Sequence, residues 1–338
     1  MVLVLASLLS PAWVVAAPSA DLGDDKVSAI SGTRKVAIAE FGVEFYTQMA
    51  GGSNQSGTTA RLTSTLRGVE DKDFQAIADQ AYVDTVNALK AAGFEVLDPA
   101  LIKANPGYQA LVEKYGADAP YALSDSTFSK GITVESKTFT SDGLKAFFST
   151  SNKLNRGSFG QRTDAQNQGR GAKEGDIAKS LGATLLHVHY LVGFTTIKDH
   201  GHRVIFSGGG ATVKSDIGTN LFAEDTEWQF VNEGGARTFT TSSRPRHSGA
   251  VYLADQLTAE ENIYTSQDTT TAESKRGDAV GNAVGAVLGI LAGSSSSATS
   301  KNRTSDVTAA SADAYRKQVN ELIGVTATAF AGKLGAAK

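Results

Sequence analysis

The feature that most constrains this chain is a change of hydrophobic period within its first hundred residues. Lys35–Thr47 (KVAIAEFGVEFYT) carries Val36, Ile38, Phe41, Val43, Phe45 and Tyr46, and from Phe41 to Phe45 these alternate with Gly42 and Glu44. β-branched and aromatic residues at period two predict a long strand. Asp71–Ala92 then changes rule: Phe74, Ile77, Ala81, Thr85 and Leu89 recur at helical spacing and mark one buried face. Asp71 or Asp73 can cap this helix, Glu70 sits near its positive end and Gly93 ends it. Phe94–Leu97 (FEVL) returns to strand composition and is stopped by Asp98-Pro99. Strand, helix and strand are therefore complete by residue 98, the opening of an α/β chain.

The rest continues in that manner. Pro99–Tyr115 reads as a second, shorter helical region and Ile132–Phe139 as a strand. Ala50–Ala60 (AGGSNQSGTTA) is a loop by composition, and Asn152–Gly171 has almost no apolar pattern. Glu174–Leu181 resumes as a helix with Gly182 as its stop. Thr184–Thr196 (TLLHVHYLVGFTT) is a second long strand and Arg203–Lys214 a third, with the turn expected at Lys198–Gly201. Glu227–Val231 and Arg237–Thr241 read as another hairpin bent at Asn232–Gly235, and Leu253–Tyr264 as a helix. In the last helix, near Asp313–Leu334, one side holds Tyr315, Val319, Leu322, Ile323, Thr326, Phe330 and Leu334. The expected fold class is α/β (α+β). It has a mixed central sheet flanked by helices with long β-hairpin extensions, plus a Gly-rich apolar segment and a C-terminal helix. The corresponding division is a signal peptide at 1–20, an α/β domain at 34–265 with a polar insertion at about 140–171, a glycine segment at 278–293, a polar linker at 294–305 and an amphipathic helix at 311–335.

The glycine segment (DAVGNAVGAVLGILAG) places Gly281, Gly285, Gly289 and Gly293 four residues apart, with Val284, Leu288 and Leu291 between them. Positions four apart share a helix face. Each mid-helix glycine costs about 1 kcal/mol relative to alanine, and close approach to another helix is the usual compensation. Val280–Gly293 would form only roughly 21 Å of helix, short of a hydrocarbon core of about 30 Å. A self-associating helix, membrane contact through 279–293, a flexible Gly/Ala-rich loop and a buried intramolecular helix all fit this segment.

Composition narrows the function classes. The N-terminal MVLVLASLLSPAWVVAAPSA reads as a secretory h-region and cleavage zone, with cuts expected near Ala16, Ala17 or Ala20. Cysteine is absent, which excludes disulfides and thiol chemistry. The net charge of −3 provides no basic footprint for nucleic acid. An exported protein, periplasmic or associated with an outer membrane, is the expectation.

Catalytic signatures are missing: there is no GxxxxGK[ST], no HExxH and no GxSxG. Among five histidines, His187 and His189, and His200 and His202, are spaced i, i+2, which places each pair on one strand face. Imidazoles are metal ligands, so His187 and His189 are the metal candidates, with hydrogen-bonded histidine as the alternative. The turn expected at Lys198–Gly201 keeps the two pairs apart, and His247 stands alone. Glu174 and Asp176 are explained as residues of a helix start. Glu224, Asp225, Glu227, Glu260 and Glu261 are the acids that a glycosidase-type dyad would draw on. Phe147, Phe148 and Trp228 are aromatics for either a core or a binding surface.

Three stretches, KVAIAEFGVEF (35–45), KAAGFEVLDP (90–99) and AKSLGATLLHVHYLVGF (178–194), together resemble the α/β domain of CsgG-type curli secretion proteins and the related TolB N-terminal domain. The resemblance covers residues 34–240. It implies a non-catalytic role in the cell envelope, as a secretion channel or periplasmic scaffold, without a cofactor. The expected function is an oligomeric, secretion-associated assembly component, with self-association or other envelope proteins as partners and no nucleic acid. Gly281, Gly285, Gly289, Gly293, Val284, Leu288 and Leu291 are its candidate contacts. A periplasmic ligand- or metal-binding module is the alternative, and a hydrolase with an unidentified site the third reading.

Overall fold

A computed structural model describes residues 19–55, 58–125, 134–147, 170–198, 214–223, 226–235, 248–273, 276 and 300–338. In chain order the elements begin with β1 (Leu22–Asp25), a 3-10 turn (Val27–Ile30), β2 (Lys35–Gln55), β3 (Thr58–Arg67), α1 (Asp71–Ala91) and β4 (Glu95–Val96). There follow α2 (Pro99–Lys103), α3 (Pro106–Tyr115), β5 (Gly116–Ala117), β6 (Tyr121–Asp125), β7 (Val134–Phe139) and β8 (Ala146–Phe147). The second half contains α4 (Arg170–Leu181), β9 (Thr184–Lys198), β10 (Lys214–Leu221), β11 (Glu227–Val231), β12 (Gly249–Leu253), β13 (Leu257–Thr258), β14 (Tyr264–Asp268), β15 (Ser300–Ala309) and α5 (Ala312–Ala337). The class is α/β, with a mixed parallel and antiparallel sheet and a C-terminal helix.

The spine of the sheet is the parallel pair β2 and β9, in register from Val36↔Thr184 to Phe45↔Val192. Residues Val36–Tyr46 of β2 are all buried, as a strand covered on both faces requires. One face carries Phe41, Val43, Phe45, Val188, Tyr190, Trp228 and Phe230, packed under α1 and α5. The apolar sides of both helices are those the periodicity marks: Phe74, Ile77, Ala81, Thr85 and Leu89 on α1, and Tyr315 through Leu334 on α5, are buried. Phe45 stacks on Phe74 at 4.5 Å, and Trp228 meets Phe330 edge-on at 5.5 Å. Glu70 caps α1 and shares a capping box with Asp73, so the cap lies one residue before the expected Asp71. The other face is covered by α2, α3 and α4 over a smaller cluster that includes Ala37, Ala39, Ile102, Leu111, Ile177 and Leu185.

Several segments differ from the sequence expectation. The glycine- and serine-rich Ala50–Ala60 is strand at all its described positions: β2 continues to Gln55 and pairs with β3 from Gln48↔Thr65 to Gln55↔Thr58. Backbone pairing overrides composition here, because the residues have a ladder to join. β9 and β10 are paired out to Lys198↔Lys214, so the chain returns at 214 and not through a turn at Lys198–Gly201. β11 pairs with β12, and Arg237–Thr241 lies outside the described residues. Leu253–Tyr264, read as a helix, contains strand β13 and the ends of β12 and β14. The last six residues of the expected linker 294–305 open β15, which pairs with β3 in parallel over Ser300↔Thr59 to Thr308↔Arg67. Residues 1–18, most of the expected insertion and the whole glycine segment lie outside the described residues. No described helix is long and apolar enough to cross a membrane, which does not bear on strands.

The registers have one topological consequence. The connections β2–β3 (56–57), β6–β7 (126–133), β9–β10 (199–213) and β14–β15 (269–299) all leave the sheet at the end toward which β2 and β9 run.

Candidate functional site

The buried glutamates and histidines of the described residues gather on the α4 side of the spine. β2 and β9 each place a polar pair at period two: Glu40 and Glu44 flank Gly42, and His187 and His189 flank Val188. A β-bulge sets their facing. Ile38 opposes Leu186 and Glu40 opposes His187, so Ala39 is the extra residue. Under unbroken pairing Ala39 would oppose His187 and Glu40 would point into the aromatic core. The bulge turns Glu40 to the α4 side instead, and the Tyr108 hydroxyl donates to the freed Ala39 carbonyl at 2.6 Å. Gly42 opposes His189 and leaves room for its ring: a Cβ there would lie 3.2 Å from Thr138 Cγ2 and 3.6 Å from His189 Cδ2.

His187 is hydrogen-bonded to Glu40 and lies beside Glu174 without a hydrogen bond to it. Its Nδ1 lies 2.9 Å from Glu40 Oε2 and its Nε2 3.1 Å from Glu174 Oε1. The three side chains are 4 % exposed or less. His189 Nε2 lies 3.2 Å from Glu44 Oε2, while Glu44 Oε1 accepts from Ser136 Oγ at 2.5 Å. β11 adds Gln229 beside His187 and Glu227 beside His189, and Gln229 Nε2 donates to Glu227 at 2.6 Å. α4 brings Glu174 into place through Ile177 and Ala178 in the lesser core. It also approaches the turn after β11 so closely that a Cβ on Gly175 would fall 2.6 Å from Gly235 Cα.

Buried ions are tolerated only when paired, and each ring here lies within salt-bridge distance of a carboxylate. Ser136, a hydroxyl of the cluster, donates to Glu44. Among the described residues no group of three or more His, Asp or Glu is arranged to hold a metal ion.

The candidate residues are distributed as follows. His187 and His189 share one face, as their spacing predicts, and both rings face carboxylates. Glu174 lies inside α4, not at its start, and helix-end electrostatics do not account for it. Trp228 is in the aromatic core and donates to the Tyr190 hydroxyl at 3.2 Å, so it forms no binding surface. Gly281, Val284, Gly285, Leu288, Gly289, Leu291 and Gly293 lie outside the described residues, as do Phe148, His200, His202, Glu224, Asp225 and His247. Of the remaining acids, Glu227 belongs to the cluster, whereas Glu260 and Glu261 are exposed. Glu40, Glu44 and Glu174 are the residues that sequence reasoning missed. Two acids at period two around a glycine in an apolar strand were the available signal for the first pair; Glu174 had none.

The chain matches no protein-family profile, no curated protein and no solved structure.

Proposed function

We propose that this chain is a non-catalytic, exported component of a cell-envelope assembly that works as an oligomer. The observation that carries the reading is the gathering of four strand connections at one end of the sheet; the connection between β11 and β12 leaves at the other end. Four strand connections, among them the one that contains the glycine segment 278–293, leave at the same end. β2 itself is 21 residues long, a reach of about 65 Å if fully extended. It pairs with β9 in its first half and with β3 in its second, so one strand joins the helix-covered core to the end from which the connections leave. A protein that carries four connections at one end can present them together to neighbours or to a membrane. The resemblance of residues 34–240 to the curli-secretion α/β domain supports the same reading.

Light scattering of the mature protein, in solution and in mild detergent, tests it. A defined oligomer in either medium is expected, lost in the double variant Gly285→Leu, Gly289→Leu while the circular dichroism of the sheet is retained. A monomer in both media overturns the proposal. The absence of cysteine allows a second check: Gln55→Cys, at the end carrying the connections, is expected to form disulfide-linked dimers under oxidation, and Ser31→Cys, at the opposite end, is not.

A further inference from the structure

We infer that a cleft at the end of the sheet opposite the four connections binds a phosphate monoester, held by Arg34, Lys179 and the hydroxyl pair Thr33 and Thr184. The cleft has a volume of about 910 Å³, within the size range of small-molecule sites. Three segments wall it: the chain entering β2 at 31–35, the passage from α4 into β9 at 178–184, and the turn after β11 at 232–234. Gly32 (φ +80°) and Gly182 (φ +58°) turn the chain into β2 and β9 in the left-handed region that favours glycine. A Cβ on either would meet nothing within 4 Å, so both turns border open space.

The cleft is basic in a chain whose net charge is −3. Arg34, Lys35 and Lys179 line it against one acid, Glu233. Lys35 is engaged by Glu95 at 3.0 Å, whereas Arg34 and Lys179 have no carboxylate partner among the described residues. Both are exposed, and they come from separate elements, one from the entry to β2 and one from the last turn of α4. Their convergence is therefore a product of the fold and not of neighbouring positions in the chain.

The hydroxyl pair supplies a donor. Thr184 is 6 % exposed, and its Oγ1 lies 3.0 Å from Thr33 Oγ1. Two bonded hydroxyls hold two hydrogens, of which one lies in the bond between them. The other has no side-chain or backbone acceptor among the described residues, so the pair can donate to a group in the cleft. Two cations and a hydroxyl donor suit an oxyanion with close to two charges. A phosphate monoester has them above its second pKa near 6, and its oxygens match the forked donors of a guanidinium. The cleft's volume leaves room for the esterified group. Because the cleft lies away from the four connections, it stays accessible whether or not those connections meet a neighbour.

Titration calorimetry of the full chain with glycerol 3-phosphate, at about pH 7.5 and low salt, tests the site, with glycerol as the neutral control. Saturable binding of one ester per chain is expected, and no binding of glycerol. Arg34→Gln and Lys179→Gln should each weaken it by about tenfold, the weight of one charge-assisted hydrogen bond. The double variant Thr33→Val, Thr184→Val, which keeps the branched shape, should do the same; should it fail to fold, the two exposed cation variants decide. Lys90→Gln, an exposed cation of α1, should leave binding unchanged. Vesicles containing phosphatidate distinguish the source: binding to them, lost in the Arg34 and Lys179 variants, marks a lipid headgroup, and binding of glycerol 3-phosphate alone marks a soluble ester. Absence of binding to both overturns the proposal. So does binding that Arg34→Gln and Lys179→Gln leave unchanged, or that Lys90→Gln weakens equally.

Discussion

On the α1 and α5 side of the spine, Phe41, Val43, Phe45, Val188 and Tyr190 pack against Phe74, Tyr315 and Phe330. One residue along the same strands, on the α4 side, the buried positions are Glu40, Glu44, His187 and His189. The two faces share a backbone, and both are shielded from solvent. They differ in what burial achieves. On the aromatic face it removes apolar area from water and contributes stability directly. On the acidic face it confines charges that must be matched, so the arrangement is specific and conditional but contributes little net stability. Even the polar atoms of the aromatic face are neutral ones: Tyr190 bonds Thr85 at 2.9 Å and accepts from Trp228, and Thr219 bonds Tyr264 at 2.7 Å.

The largest expected effect breaks the aromatic face. Trp228→Ala removes the Phe330 contact and the Tyr190 hydrogen bond and should lower stability by about 4 kcal/mol in urea unfolding. On the acidic face His187→Leu alone should lower it by about 3 kcal/mol, because Glu40 and Glu174 remain buried without the ring between them. The triple variant Glu40→Met, His187→Leu, Glu174→Met should recover most of that loss, to within about 1 kcal/mol of the wild type. If the triple variant is as unstable as the single one, the two faces do not differ in the way described.

Alkaline solution should also act on the aromatic face. Burial pushes the phenols of Tyr190, Tyr264 and Tyr315 above their ordinary value of 10.0. The folded state keeps protons that the unfolded chain releases, so their contribution is complete below pH 10 and is lost as pH rises beyond it. The thermal midpoint should fall between pH 10 and 11, with a shallower slope in Tyr190→Phe. The smallest effect belongs to the surface: Lys35→Ala breaks the exposed 3.0 Å pair with Glu95 and should change stability by less than about 1 kcal/mol.

Much of the aromatic face was legible in the sequence. The alternation of Phe41, Val43 and Phe45, and the helical spacing of Phe74 to Leu89 and Tyr315 to Leu334, each follow from the period of a single element. The shared facing of His187 and His189 was legible for the same reason. Their partners were not. Ala50–Ala60 shows the same limit: its glycines and serines suggest a loop, and only the presence of β3 alongside makes it strand.

Local periodicity thus determined the kinds of element, their buried sides and the α/β class, because these depend on backbone geometry within one segment. Tertiary structure alone decided that Ala39 is a bulge, that Glu40 consequently faces His187, that Glu174 arrives from a helix 134 positions further along the chain, and that four connections leave the same end of the sheet. Register and long-range pairing belong to two segments at once, and neither segment carries them alone.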